Sequence, residues 1–352
     1  MLPKVAIIYL SYNSHKYVKD VFLSLEYLNY PKEKLEIIVV DNNSQDGSQE
    51  IFGNMEGITF FPNKINVGFA KGNNIGIEHA LLNDADYVYL LNNDACLHTD
   101  AIYEAVIMAE SDEEIGSVQS ILKLWNNENI INSSGGMVHF LGFGFARDNG
   151  EKSDYVMLER GDGQEIAYSS GASVLYKAST LRRVGLLDPF LFLYHEDLEL
   201  GWRMRLAGYR NVLSLKSIAY HDYEFKRSMS KFFWMERNRY LVHLSHLKLK
   251  TLVLLLPLMV LLEVPLIFFS IKSGWFKEKL FVYIQLLKPS VWKYIFKKRK
   301  QSEIIRKVSD KKIFSIFTGK IENQEVSHKL VDNLANPILS FICSIYKRII
   351  AW

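Results

Sequence analysis

Cysteine is nearly absent: Cys96 and Cys343 stand far apart in a chain of 352 residues. That excludes a disulfide framework and a cysteine-rich zinc site, and it fits a reducing compartment. A signal-peptide core is lacking too. The only apolar run near the start, residues 5–10, has six residues and no small-residue cleavage site after it, so it reads as a first strand. No Gly-rich, Lys/Arg-bearing loop follows that run; Tyr12-Asn13-Ser14-His15 stands there instead, which argues against a nucleotidyltransferase. No internal repeat is visible. Long apolar runs are scarce, and the longest, 251–271, is interrupted by Pro257, Glu263 and Pro265.

What is present is a large apolar and aromatic content, 49% and 13%, enough for one large or two smaller cores. The net charge of +3 is unevenly divided. Residues 272–320 hold 14 Lys/Arg against 3 Asp/Glu, a local +11, so the rest of the chain carries −8.

Apolar, β-branched runs at 5–10, 35–40, 58–61 and 87–91 alternate with helical segments at 15–28, 44–55 and 68–82. Continuous apolar strands between helices predict an α/β fold with a mostly parallel sheet covered on both faces. Ligands of such sheets bind beyond the carboxyl ends of the strands. Four polar clusters fall there: Tyr12-Asn13-Ser14, Asp41-Asn42-Asn43-Ser44, Asn66-Val67-Gly68-Phe69-Ala70 and Asn92-Asn93-Asp94. Further strands are expected at 116–122 and 167–176, a helix at 196–207 ended by Gly208, and a long helix at 228–250.

Each cluster also has a plain structural reading. Asp41 suits a turn or a helix cap, and Asn92-Asn93-Asp94 suits a turn. Asp94 is equally a ligand for a hard cation, which takes one or two carboxylates plus phosphate oxygens. Glu196 and Asp197 open a helix, where acids suit the dipole, yet one of them could serve as a general base. Glu199 and Arg203 are i,i+4 partners, and Leu198, Trp202 and Leu206 form a docking stripe.

The ordered motifs Ser11-Tyr12-Asn13-Ser14, Asp41 to Gly47, Asn66 to Asn74, Leu91 to Asp94, Gly171-Ala172, Glu196 to Arg203, and His221 resemble a family 2 glycosyltransferase of the GT-A fold. The resemblance runs over residues 4–240 and is similar to the rhamnosyltransferase-like branch of surface-polysaccharide synthesis. It implies inverting transfer from a nucleotide-diphosphate sugar (UDP-, dTDP- or GDP-linked). Asp197 would be the base, with Glu196 its rival. Tyr12, Asn13, Asp41, Asn73, Asn92, Asn93, Arg203 and His221 would contact the donor. Asp94, with His221, would hold Mg²⁺ or Mn²⁺. Gly171, Ala172, Tyr194 and Glu196 would face the acceptor, and Arg237 the diphosphate or acceptor. Asn92 stands where many relatives have Asp, so the metal site has one negative charge fewer.

The chain then divides into a catalytic domain, 1–250, and a helical membrane-associating region, 251–352. The apolar run followed by the basic stretch suits a membrane surface rather than nucleic acid. Pro257, Glu263 and Pro265 suggest a broken, re-entrant or surface-lying hairpin on the cytoplasmic face of the cell membrane, with a polyprenyl-linked glycan as acceptor; a homodimer interface is the competing reading of the apolar run. Direct transfer to polyprenyl phosphate and an inactive sugar-nucleotide-binding scaffold are the alternative functions. Donor selectivity is expected from loops within 123–170.

Overall fold

A computed structural model describes residues 2–223, 231–321 and 335–352. The strands are β1 Val5–Ser11, β2 Leu35–Asp41, β3 Ile58–Pro62, β4 Tyr87–Asn92, β5 Ala95–Leu97, β6 Ile115–Leu124, β7 Asn127–Ser133, β8 Gly136–Val138, β9 Gly144–Ala146, β10 Glu165–Ile166, β11 Ser173–Lys177 and β12 Arg210–His221. The helices are α1 His15–Glu26, α2 Ser48–Gly53, α3 Phe69–Leu82, α4 Ala101–Glu110, α5 Ser153–Glu159, α6 Ala178–Val184, α7 Glu196–Leu206, α8 Lys231–His246, α9 Leu249–Lys272, α10 Phe276–Leu286, α11 Pro289–Ile305, α12 Asp310–Ser315 and α13 Asn336–Ile349.

The main sheet runs β10-β12-β6-β11-β4-β1-β2-β3. β3, β2, β1 and β4 are parallel. β11 runs antiparallel between β4 and β6, and β12 is parallel to β6. The unbroken apolar runs have a direct cause: alternate residues serve opposite faces. Val5, Ile7 and Tyr9 enter one core with α1 and α4, while Ala6, Ile8 and Leu10 enter another with α3, α6 and α7. All four N-terminal strands therefore end on one rim.

Three sequence expectations differ from the structure. The strand expected over 167–176 is confined to Ser173–Lys177; residues 167–172 leave the ladder, and Tyr168, Ser170, Gly171 and Ala172 line a cavity. The long helix expected over 228–250 ends at His246, its first three residues lying outside the described ones. Asp310, fully buried, accepts from the Lys248 backbone N–H (2.8 Å) and the Thr251 hydroxyl (2.6 Å), so it caps a new helix at that point. Third, the apolar run is not broken by its prolines. α9 continues through Pro257 and Pro265, and the chain reverses later, at Gly274 (φ +78°).

Glu263 is explained by tertiary contacts. Its carboxylate meets Arg239 of α8 (3.1 Å) and Lys279 of α10 (2.8 Å), and the hydroxyls of Tyr240 and Tyr283 donate to it. Glu236 completes the cluster with Lys279 (2.5 Å) and Arg239 (3.1 Å). The cluster ties α9 to α8 and α10. A core running from Val138 to Ile350 joins α7 and α8 with the C-terminal helices. α9 is long and apolar enough to cross a membrane, the one such helix among the described residues.

Candidate active site

A cavity of about 430 Å³ opens at the rim between the ends of β4 and β12, the 168–172 stretch and the start of α7. Asn92, Asp94, Gly171, Ala172, Tyr194, Glu196, Asp197 and His221 all line it. Residues separated by more than a hundred positions in sequence thus share one space, because β5 pairs with the end of β12 and sets Ala95 opposite His221.

Asp94 and His221 form one wall. Asp94 Oδ1 lies 3.1 Å from His221 Nε2. His221 Nδ1 lies 2.9 Å from Asn132 Oδ1. That oxygen can only accept, so Nδ1 carries a hydrogen and the ring is oriented with Nε2 toward Asp94. No third His, Cys, Asp or Glu completes a metal cluster among the described residues. One carboxylate and one imidazole fit a divalent cation that takes its remaining ligands from phosphate oxygens and water.

The opposite chemistry lies at the first turn of α7. Asp197 Oδ1 accepts from its neighbour's backbone N–H at Leu198 (2.7 Å), and Oδ2 from Gly171 (3.3 Å). Enclosure by protein raises its pKa to about 6, against the lowering effect of those N–H groups. Glu196 is raised further, by burial and by the charge of Asp197, and its Oε2 has no hydrogen-bond partner among the described residues. Burial thus holds both carboxyls above their ordinary range, with Glu196 the higher because the charge of Asp197 adds to its burial.

The loop before α7 is strained. Phe192, Tyr194 and His195 adopt φ of 63°, 62° and 68°, conformations that cost about 1–3 kcal/mol each for side chains of this kind. Asn238 of α8 holds them there, its Nδ2 donating to the carbonyls of Leu191 (2.9 Å), Leu193 (3.1 Å) and Tyr194 (2.8 Å). The Phe192 carbonyl accepts from Phe69 N–H (2.9 Å), joining this loop to the start of α3. Gly68 makes that approach possible: with φ +86°, a Cβ there would lie 2.5 Å from the Phe192 ring. Gly201 does the same for α7, since a Cβ would sit 2.8 Å from the Tyr168 Cα.

Other expected donor residues stand outside the cavity lining. Asp41 is fully buried and accepts four hydrogen bonds: from the hydroxyls of Ser11 (2.8 Å) and Ser44 (2.5 Å), the Ser44 N–H (2.8 Å) and Gln49 Nε2 (2.6 Å). Asn13 (φ 50°) accepts from Gln45 N–H at 2.8 Å. Asn93 donates to the Tyr12 carbonyl at 3.2 Å, and the Tyr12 ring is half-exposed. Asn73 is buried and donates to the Phe69 carbonyl one turn back, at 3.0 Å.

Arg203 does not reach the cavity. Its guanidinium meets Glu199 at 2.7 Å and donates to the Val184 and Leu186 carbonyls (2.5 and 2.6 Å). Far from a surface pair, it is a buried brace. Arg237 lies over the Phe190 and Trp234 rings, 5.0 and 4.8 Å from their centroids, and donates to the Phe190 carbonyl; burial lowers its pKa to about 10. Sequence reasoning missed Asn132, Phe145, Asn149, Tyr168 and Met235. All but Met235 fall in the stretch expected to supply selectivity, where the Gly142 to Gly144 punctuation marks the β8–β9 hairpin.

The same architecture appears in solved glycosyltransferases. GalNAc-T7 with UDP, GalNAc and Mn²⁺ superposes with a TM-score of 0.54 at 15% identity, over 70% of this chain and 49% of that one. The Pyrobaculum calidifontis mannosyltransferase PcManGT, with GDP-Man and Mn²⁺, gives 0.50 at 18%, over 69% and 64%. S. aureus TarS 1-349 with UDP-GlcNAc gives 0.50 at 16%, over 98% and 88%. These likenesses define the fold as GT-A.

The family model "Glycosyl transferase family 2" matches residues 6–184, and the chain belongs to that family. Among curated relatives, poly-beta-1,6-N-acetyl-D-glucosamine synthase of Staphylococcus epidermidis is 26% identical over 203 residues, 56% of this chain and 45% of its own. The low-salt glycan biosynthesis hexosyltransferase Agl10 of Haloferax volcanii is 24% identical over 214 residues, 58% and 62%. The matches span about half the length of these relatives.

Proposed function

We propose that the protein is an inverting, metal-assisted glycosyltransferase that moves a sugar from a nucleotide-diphosphate sugar to a hydroxyl of a polyprenyl-linked glycan at the membrane surface. The carrying observation is one cavity with an Asp94–His221 pair on one wall and, on another, a carboxyl of raised pKa without a cationic partner among the described residues. Those are the two needs of a single displacement. The leaving diphosphate must be neutralised and the incoming hydroxyl deprotonated.

Asp94 and His221 would hold the divalent cation, which when bound neutralises charge on the departing diphosphate. Asp197 takes the acceptor's O–H proton. The acceptor oxygen forms its bond to the anomeric carbon as the carbon–oxygen bond to the diphosphate breaks, and the electron pair leaves with the nucleoside diphosphate. The transition state is oxocarbenium-like, and one attack from the far side inverts the centre. Glu196, held above its ordinary range by burial and the charge of Asp197, serves the acceptor side. Asp41, through the Ser11, Ser44 and Gln49 network, shapes the turns of the nucleotide side. The acidic catalytic part and the apolar, basic 251–352 region support a membrane-bound acceptor seen from the side that supplies nucleotide sugar.

The test is a donor screen over UDP-, dTDP- and GDP-sugars with and without Mn²⁺ or Mg²⁺, following nucleoside-diphosphate release and donor binding. One donor hydrolysed slowly in a metal-dependent way, with release lost in Asp197→Asn while binding persists, supports the reading. No binding of any nucleotide sugar overturns it.

A further inference from the structure

A second cavity, about 400 Å³, opens between α9 and α11 beneath α8. That is within the volume range of ligand pockets. Its walls are hydrocarbon: Leu252, Leu256 and Val260 from α9, Ile295 and Phe296 from α11, and Leu244 from α8. Leu256, Val260 and Phe296 are more than half exposed, so the groove is open along its length. Tyr240 and Glu263 also line it, and there the Arg239–Lys279–Glu236 cluster neutralises the carboxylate.

Two features say what occupies it. First, the wall formed by α11 carries a row of exposed ammonium groups beside its apolar row. Lys293, Lys297 and Lys300 follow one another at i, i+4 and i+7, each one position after Trp292, Phe296 and Arg299, which line the groove. A hydrocarbon slot bordered by such a row suits a ligand with a long apolar chain and a phosphate at its head. Second, α8 connects the groove to the catalytic cavity. Met235 lines the cavity; Tyr240 and Leu244 line the groove. At 1.5 Å per residue these points lie about 8 and 14 Å apart along one rigid helix.

The geometry points to the α9–α11 groove as the seat of the hydrocarbon chain of the lipid-phosphate carrier, with its phosphate on the Lys293–Lys297–Lys300 row and its glycan reaching into the catalytic cavity. The inference rests on the glycosyl-transfer reading for the identity of the cargo. The slot itself, and the basic row beside it, do not depend on that reading.

The test uses the full chain in detergent micelles, irradiated with a diazirine-bearing polyprenyl phosphate and mapped by mass spectrometry. The expected result is labelling at Leu252, Leu256, Val260 or Phe296 that unlabelled polyprenyl phosphate competes away and phospholipid does not. Leu256→Asn, at an exposed position, should cut the competed label by about tenfold, as expected for losing one buried apolar contact, with thermal unfolding unchanged. Uniform, uncompeted labelling along α9, α10 and α13 would overturn the proposal and make this face a bilayer contact. So would a groove labelled equally by phospholipid. Nucleotide-sugar binding in the same sample separates the two readings: label without donor binding keeps the groove and removes the transferase, and donor binding without competed label does the reverse.

Discussion

Two faces of α7 carry carboxyls of opposite character. On the cavity face, Asp197 and Glu196 have no cationic partner among the described residues, and both are held above their ordinary range by burial. On the inner face, Glu199 is more deeply buried, yet the Arg203 guanidinium, Lys298 and His246 outweigh burial and hold it far below its ordinary range. His246 approaches to 3.1 Å and Lys298 to 4.0 Å. The same helix therefore has one face whose charges are compensated and one whose charges are left in tension. Compensation marks structure; its absence, in a cavity, marks chemistry.

The largest expected effect breaks the cavity face. Asp197→Asn should lower kcat by about 10²–10⁴-fold with donor affinity retained, measured by single-turnover transfer and by calorimetry. Glu196→Gln sharpens the assignment. Burial and the charge of Asp197 hold Glu196 above Asp197, and with Asp197 as the base the amide variant should stay active. In the wild type, kcat/KM should rise with pH through about 6, the value to which burial raises Asp197. Loss of activity in Glu196→Gln comparable with that of Asp197→Asn would move the base to Glu196.

Next comes the inner face. Arg203→Ala leaves Glu199 buried with a partner removed and should destabilise the fold by about 3–5 kcal/mol, read by denaturant unfolding. The two faces also predict opposite responses to pH. A carboxyl whose folded pKa is raised binds more protons folded than unfolded, so it weakens the fold as pH rises from about 4 to 6. Asp197→Asn should therefore raise Tm by roughly 2–4 °C at pH 8, a gain that shrinks below pH 5. Glu199 is depressed, so its contribution is present at neutral pH and fades only in strong acid. Glu199→Gln should lower Tm at pH 7.

A third response to pH concerns three buried histidines. Burial lowers His139 and His243 to about 3 and His195 to about 4. All three are neutral in the fold and protonate on unfolding below about 6.5, so stability should fall as pH drops from 6.5 toward 4, by up to about 1.4 kcal/mol per pH unit for each. A stability flat across that window would show that these rings are not held neutral.

Much of this was legible in the residues. The four apolar runs matched β1 to β4 within a residue at their ends, because a strand buried on both faces needs an unbroken β-branched run. Asp94, Asp197 and His221 were singled out, and the cavity brings them together. What the pattern could not show was partnership. The sequence offers Arg203 both an i,i+4 pairing with Glu199 and a donor role by resemblance; only the packed fold buries that pair and presents the Val184 and Leu186 carbonyls to it. Asp41 could be read as ligand or turn, and the four donors around it come from β1, its own turn and α2.

The amino-acid sequence alone determined the order of strands and helices, the rim on which the polar motifs lie, and the family, since periodicity and strand-end chemistry are local properties. Tertiary structure alone decided which acid is left unpaired, which histidine nitrogen faces Asp94, why Glu263 is tolerated in an apolar helix, and where the groove opens. Each of those depends on groups far apart in sequence, and burial makes their pairing worth several kcal/mol.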